Sequence, residues 1–336
     1  MKPVSEFYPL LNTAPKNVVI TCHQKPDGDA MGSSLGLYHF LKNAGHHPTV
    51  ISPTNWADFL NWMPGVKNVI DFELQPKQAK QILNTADWLF CLDFDALLRT
   101  KHMEKFLQQM NAVKILIDHH QQPDEKIFDF GISNSAKSST CEMVYNFIVA
   151  SGNADKLDAD TATCLYTGIM TDTGSFRFPC TTSEVHKIIA DLLSLGINHT
   201  AIHENIYDNF LESRLRFIGN ALLNRMNVLY EYNTALMAIP KTDIYKFNIK
   251  TGDTEGLVNF MHTIQGIKLA AIVIDREGER KWSFRSKGNF DVNKFAREHF
   301  NGGGHANAAG GSSKDSLDVT VKYFCEVLKK YKQQLQ

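Results

Sequence analysis

The sequence predicts an α/β protein: an N-terminal, doubly wound and mainly parallel sheet, a helical connector, and a smaller C-terminal α/β domain with a mixed sheet. Three observations carry that reading. Near-continuous apolar runs of strand length alternate with helical patterns through about the first 130 residues. A parallel sheet covered on both faces by crossover helices is written that way. Residues 183–225 then hold a helical pattern with no strand signal. From Thr234 onward strand patterns return, two of them flanking Arg276-Glu-Gly-Glu-Arg280, which reads as a hairpin turn. The expected domains are 1–182, a connector at 183–225, and 226–336; a chain of 336 residues suits two domains of ordinary size.

In chain order, Asn17–His23 reads as a buried strand because Val18, Val19 and Ile20 are β-branched. Lys25-Pro-Asp-Gly28 turns the chain, and Ala30–Ala44 reads as a helix stopped by Gly45. Pro48–Ser52 and Val69–Phe72 read as strands, Trp56–Trp62 and Pro76–Asn84 as helices. Asp87–Asp93 is a buried strand ending in acid, Lys101–Met110 a helix, and Val113–Asp118 a strand ending in Asp118-His119-His120. Ser139–Ser151 and Ala159–Met170 read as helices, with Asp172 directly after the second. Ile188, Ile189, Leu192 and Leu193 form an apolar stripe in the connector, and Gly196 ends that helix. Beyond it, Thr234–Ile239, Lys268–Asp275 and Lys281–Ser286 read as strands, Phe290–Phe300 and Ser316–Gln334 as helices. The densest glycine run, Gly302–Gly311, lies between those two helices.

Composition narrows the function classes. With 43% hydrophobic residues the chain can build real cores, and a net charge of −1 argues against coating long nucleic acid. The six cysteines form no C-x-x-C pair and mostly sit in apolar runs, so they read as buried thiols of a reducing cytoplasm. Neither a signal-peptide core nor a membrane-length apolar run is visible, so a cytoplasmic protein without membrane contact is expected.

Four segments end in acids or imidazoles: His23-Gln-Lys-Pro-Asp27-Gly-Asp29, Asp93 with Asp95, Asp118-His119-His120, and Asp172-Thr-Gly-Ser175. In open parallel sheets ligands bind at the carboxyl ends of strands. Taken together the four read as one site for two divalent metals, with His23, Asp27, Asp29, Asp93, His119 and Asp172 as ligands. Oxygen and imidazole donors without thiolates suit manganese, with magnesium or cobalt as alternatives, and disfavour structural zinc. His199 and His203 are spaced i, i+4 but lack the H-E-x-x-H glutamate, so a helix-surface role is expected. His46 and His47 are expected to face solvent, and Arg99 to be a surface charge.

These four segments resemble the motifs of the DHH phosphoesterase superfamily, and Gly302-Gly-Gly-His-Ala-Asn-Ala-Ala-Gly310 resembles the signature of the DHH-associated substrate domain. That domain occurs in RecJ-like nucleases and in NrnA-type oligoribonuclease/pAp phosphatases. The resemblance covers essentially the whole chain. It implies one metal on His23, Asp27, Asp93 and Asp172 and a second on Asp29, Asp93, His119 and Asp172. It further implies that His120 faces the phosphate and that Asp118 orients the histidines. Asp95 has no firm role, either supporting the site or capping the helix that follows. Arg285, Ser286, Gly302, Gly303, Gly304, His305 and Asn307 are the expected substrate contacts. There the glycines would let backbone amides approach a phosphate, with a helix start adding its dipole.

The implied activity is attack by a hydroxide, held between two metals, on short oligoribonucleotides, linear dinucleotides and 3′-phosphoadenosine 5′-phosphate. No Lys-Ser/Thr follows the glycines, so a Walker A ATPase is disfavoured. The alternatives are an exopolyphosphatase or inorganic pyrophosphatase, and a non-catalytic nucleotide-binding protein. Long duplex nucleic acid is not an expected partner. A homodimer is compatible with the sequence, which carries no feature that specifies one.

Overall fold

The computed structural model describes residues 1–250 and 252–336. They form two compact units, Met1–Asn209 and Phe210–Gln336.

The N-terminal unit runs β1 (Lys2–Pro3), β2 (Asn17–Thr21), α1 (Gly28–Asn43), β3 (His47–Ser52), β4 (Ile70–Asp71), α2 (Pro76–Thr85), β5 (Trp88–Leu92), α3 (Glu104–Gln109), β6 (Val113–Asp118), β7 (Phe130–Ser133), α4 (Thr140–Ala150), α5 (Ala159–Asp172), α6 (Ser183–Ser194) and α7 (His199–Tyr207). Among the described residues its strands make one seven-stranded sheet in the order β1-β7-β6-β5-β2-β3-β4, and every pairing is parallel. Both faces are covered, as β6 shows. Ile115 and Ile117 enter one apolar cluster with α1, α4 and α5, while Leu116 enters another with α2 and α3. Strand order reverses between β2 and β5, the switch point where such sheets open a crevice at their carboxyl ends.

Close helix packing depends on glycine at two places. A Cβ on Gly32 of α1 would come within 2.6 Å of the Cys164 carbonyl oxygen in α5. A Cβ on Gly168 of α5 would stand 2.1 Å from Cys141 Sγ and 2.9 Å from Asp29 Oδ1. The starts of α1 and α4 and the end of α5 are thus brought together.

The C-terminal unit runs α8 (Glu212–Asn224), β8 (Met226–Leu229), β9 (Thr234–Ile239), α9 (Lys241–Lys246), α10 (Leu257–His262), β10 (Leu269–Arg276), β11 (Glu279–Ser286), α11 (Val292–His299), β12 (Gly303–His305), β13 (Ala308–Ser313) and α12 (Leu317–Lys329). Its described strands form a mixed sheet, β12-β13-β11-β10-β9-β8, in which β9 and β10 are parallel and the other pairs antiparallel. Strand β10 alternates strictly. Leu269, Ala271 and Val273 face a core with α11 and α12, whereas Ala270, Ile272 and Ile274 face one with α8 and α10. The helices of 183–225 are divided, α6 and α7 belonging to the first unit and α8 to the second.

Several local expectations are corrected. Trp56–Trp62 holds only a 3₁₀ turn at Asp58–Leu60. Asp172 is the last residue of α5 rather than a residue beyond it. His46 is buried, its Nε2 within 3.0 Å of the Leu11 carbonyl oxygen and its Nδ1 accepting from Lys16 N, so it does not face solvent. The glycine run is the antiparallel hairpin of β12 and β13, and no helix starts in it. Its glycines admit neighbouring backbone, since a Cβ on Gly302 would lie 1.9 Å from the Gly310 carbonyl oxygen. Among the described residues no helix is long and apolar enough to cross a membrane.

Candidate metal centre

At the switch point the end of β2 delivers His23 and the end of β5 delivers Asp93. His23 donates Nδ1–H to the Gln24 carbonyl oxygen at 2.8 Å, and its Nε2 lies 3.4 Å from Asp93 Oδ2. In the neutral ring that fixes Nε2 as a lone pair facing a carboxylate, an arrangement that needs a proton or a cation between the two. A histidine whose other nitrogen is tied to a backbone carbonyl is also the usual geometry of a metal ligand.

Asp27 caps α1, its Oδ1 accepting from Asp29 N and Ala30 N, each at 3.1 Å. Asp29, in the first turn of α1 and 1% exposed, is held by α4: Oδ2 accepts from Thr140 N at 2.7 Å and Oδ1 from Cys141 N at 2.9 Å. Asp93 sits in a left-handed conformation, φ +63°, and accepts from Thr140 Oγ1 at 3.0 Å. His119 Nε2 stands 3.3 Å from Asp93 Oδ1, 3.5 Å from Asp172 Oδ2 and 3.7 Å from Asp29 Oδ2. His120 Nδ1 meets Asp118 Oδ1 at 2.7 Å, and Asp118 is fully buried.

The electrostatics follow from four carboxylates in one small volume. Burial and the charge on Asp93 push the Asp29 carboxyl up to about 7. Burial and the charge on Asp29 push Asp172 well above the carboxylate range, although its side chain keeps 28% exposure. Burial also opposes charge on Asp93, but hydrogen bonds from His119 and His23 and the charge of His120 hold it well below that range. Burial works against the charged ring of His119, yet Asp93, Asp172 and Asp29 raise it strongly. Uncompensated, these acids are expensive to ionise together, whereas two dications would balance them.

The donor atoms of His23, Asp27 and Asp93 lie within 4.8 Å of one another, and so do those of Asp29, Asp93 and His119. The two groups share Asp93 and contain carboxylate oxygens and imidazole nitrogens only, a donor set that fits hard-to-borderline divalent cations. Asp172 adjoins the second group through His119. Asp95 joins neither group; its carboxylate lies 3.8 Å from Arg99 and its backbone oxygen accepts from Asp124 N. His203 pairs with Ser175 Oγ and the His199 carbonyl oxygen on α7 and joins neither group.

In the C-terminal unit the other candidate residues gather at the end of β11. Arg285 is in register with Ala308, and Ala308 with His305. Ser286 donates to the Phe290 carbonyl oxygen at 2.6 Å and accepts from Asn307 Nδ2 at 2.9 Å; Asn307 Nδ2 also reaches the Gly288 carbonyl oxygen. Ser286 and Asn307 therefore fasten the hairpin to the strand. Gly304 donates its N–H to Asn293 Oδ1 at 2.9 Å, and His262 Nε2 meets the Arg285 carbonyl oxygen at 2.9 Å.

Sequence reasoning missed Thr140, Asn293 and His262. A capping box, Ser139-x-x-Glu142, marks the start of α4, but nothing local reveals that Asp29 lies across from it.

Residues 17–169 match the DHH family N-terminal domain, and residues 226–335 match the DHHA1 domain. The bifunctional oligoribonuclease and PAP phosphatase NrnA of Thermus thermophilus is 29% identical over 91% of this chain and 86% of its own. The crystal structure of an exopolyphosphatase-related protein from Bacteroides fragilis superposes with a TM-score of 0.93 at 39% identity, covering 98% of this chain and 97% of that one. RecJ of Thermus thermophilus, crystallised with Mn2+, shares the fold at 11% identity and TM-score 0.55, over 99% of this chain and 54% of its own.

Proposed function

We propose, for a chain that belongs to the DHH phosphoesterase family and carries a DHHA1 domain, that it hydrolyses short oligoribonucleotides, linear dinucleotides and 3′-phosphoadenosine 5′-phosphate to mononucleotides in a manganese-dependent reaction. The observation that carries this reading is the pair of donor groups sharing Asp93. The naming of the Thermus thermophilus relative supports the substrate class.

His23, Asp27 and Asp93 would hold one cation, and Asp29, Asp93 and His119 the other, with Asp172 completing both. Bound divalent cations supply charge neutralisation for a phosphoryl group and lower the pKa of water. The protein's own share is to hold these donors in place. Asp118 fixes the His120 ring through Nδ1, so Nε2 is the nitrogen directed at a phosphoryl oxygen or the leaving group. In the C-terminal unit Arg285 and His305 would hold a substrate phosphate, while Gly302–Gly304, whose Gly302 and Gly304 amides are taken by the Ala296 carbonyl oxygen and Asn293 Oδ1, would let it approach the hairpin closely. Ser286 and Asn307 would act there by keeping the hairpin against β11.

The likeness to the exopolyphosphatase-related protein favours a second reading, phosphoanhydride hydrolysis. Product release with manganese from pApA, 3′-phosphoadenosine 5′-phosphate, pyrophosphate and polyphosphate separates the two. AMP from the first two supports the nucleotide reading, and release confined to the last two overturns it.

A further inference from the structure

Thr140 touches both metal-directed carboxylates of the second donor group. Its backbone N–H donates to Asp29 Oδ2 and its hydroxyl to Asp93 Oδ1, at 2.7 and 3.0 Å. The next amide, Cys141 N, donates to Asp29 Oδ1. Thr140 is 1% exposed or less, as is Asp29, and Asp93 is 2% exposed, so water does not compete for these bonds. Two amides at the start of α4 that would otherwise seek a cap are satisfied by a carboxylate from α1. That leaves Asp29 with one orientation. Asp93 follows β5 in a left-handed conformation that non-glycine residues seldom adopt, so its side-chain direction depends on what holds it. The Thr140 hydroxyl is the neutral donor that does so; the other contacts to the Asp93 carboxylate come from His23, His119 and His120.

We infer that Thr140 is a positioning residue for the metal pair: its hydroxyl aims Asp93, the carboxylate common to both donor groups, while its amide aims Asp29. The inference rests on the metal-dependent reading above. It concerns how tightly metal is held, and it asks no chemistry of Thr140 itself.

The test is Mn2+ binding by calorimetry and by loss of the free-ion EPR signal, on the full chain, for wild type, Thr140→Val and Thr140→Ser. Valine keeps the shape and the backbone amide and removes only the hydroxyl. Thr140→Val should weaken Mn2+ binding by roughly 10–100-fold, the usual effect of removing a group that orients a ligand. Thr140→Ser should restore most of the affinity, which a purely structural role would not require. Thermal melts without metal establish that the variants fold, and Thr140→Ala serves the same comparison where the valine methyl disturbs packing. Wild-type affinity in Thr140→Val overturns the inference, and so does equal weakening in valine and serine. A wild-type chain that binds no Mn2+ overturns the metal reading beneath it and this inference together.

Discussion

Manganese should raise the thermal midpoint of this protein, and the rise should divide between the two donor groups in a way the geometry dictates. A ligand that binds only the folded state stabilises by RT ln(1 + [L]/Kd), about 2.7 kcal/mol at 100-fold excess over Kd. Two sites at that excess contribute about 5.4 kcal/mol. The donor groups lie in a unit spanning Met1–Asn209. In domains of that size 1 kcal/mol moves the midpoint by about 2–4 °C, so the wild-type shift should be roughly 11–22 °C. Asp27 belongs to the first group alone, and asparagine keeps the Oδ1 that caps α1. Asp27→Asn should therefore retain roughly half of the shift. Asp93 belongs to both groups, and asparagine tolerates its positive φ. Asp93→Asn should abolish nearly all of it. Melts followed by circular dichroism, with and without Mn2+, decide the matter. Equal residual shifts in the two variants, or a wild-type shift in Asp93→Asn, would refute a shared ligand.

Three further outcomes are expected. Asp118→Asn leaves the imidazole near its place but withdraws the charge behind Nδ1, so kcat should fall by about 10²-fold or more while the Mn2+ shift stays near wild type; a loss below about tenfold would remove His120 from the chemistry. Hydrogen bonds and the charge of Arg225 hold the Asp243 carboxyl below its ordinary value, at 2.7 and 3.0 Å. A depressed folded-state pKa means that this stability is fully present above about 3.9 and is lost as pH falls through the folded value, so Asp243→Asn should flatten the acid limb of a denaturation profile and leave its neutral slope unchanged. Gly302→Ala would place a methyl 1.9 Å from the Gly310 carbonyl oxygen and should cost about 1–3 kcal/mol in urea denaturation.

The parallel sheet was legible because each long strand is buried on both faces and so writes itself as an apolar run: Trp88–Leu92 and Ile115–Asp118 are buried at every position. Strands that owe their existence to a partner were not. Strand β7 is four residues with a glycine inside, and β1 is two residues that pair with it. Neither carries a periodic signal of its own. His46 was misread for a related reason. The Gly45 before it does end a helix, but the chain then turns inward to put the ring against Trp88 and the Leu11 carbonyl. The tips at His23, Asp93 and Asp118–His120 stand out because each follows an apolar strand directly, whereas Asp27 caps α1 and Asp172 ends α5, places where an acid on its own is unremarkable.

What could not be read locally is how those tips are held, because the holding groups come from elements distant in sequence. Asp29 is clamped by amides more than a hundred residues away, and Gly168 must lack a side chain for Asp29 and Cys141 to lie where they do. Neither Thr140 nor Gly168 carries chemistry of its own, so composition and motif spacing pass over both. The same division recurs in the C-terminal unit. Its glycines stand out in the sequence, yet Gly302 and Gly304 are required because neighbouring strand backbone occupies the place of a Cβ. Any phosphate contact made by that hairpin would therefore depend on Asn293, Ser286 and Asn307, which fix its backbone, as much as on the glycines that the eye finds first.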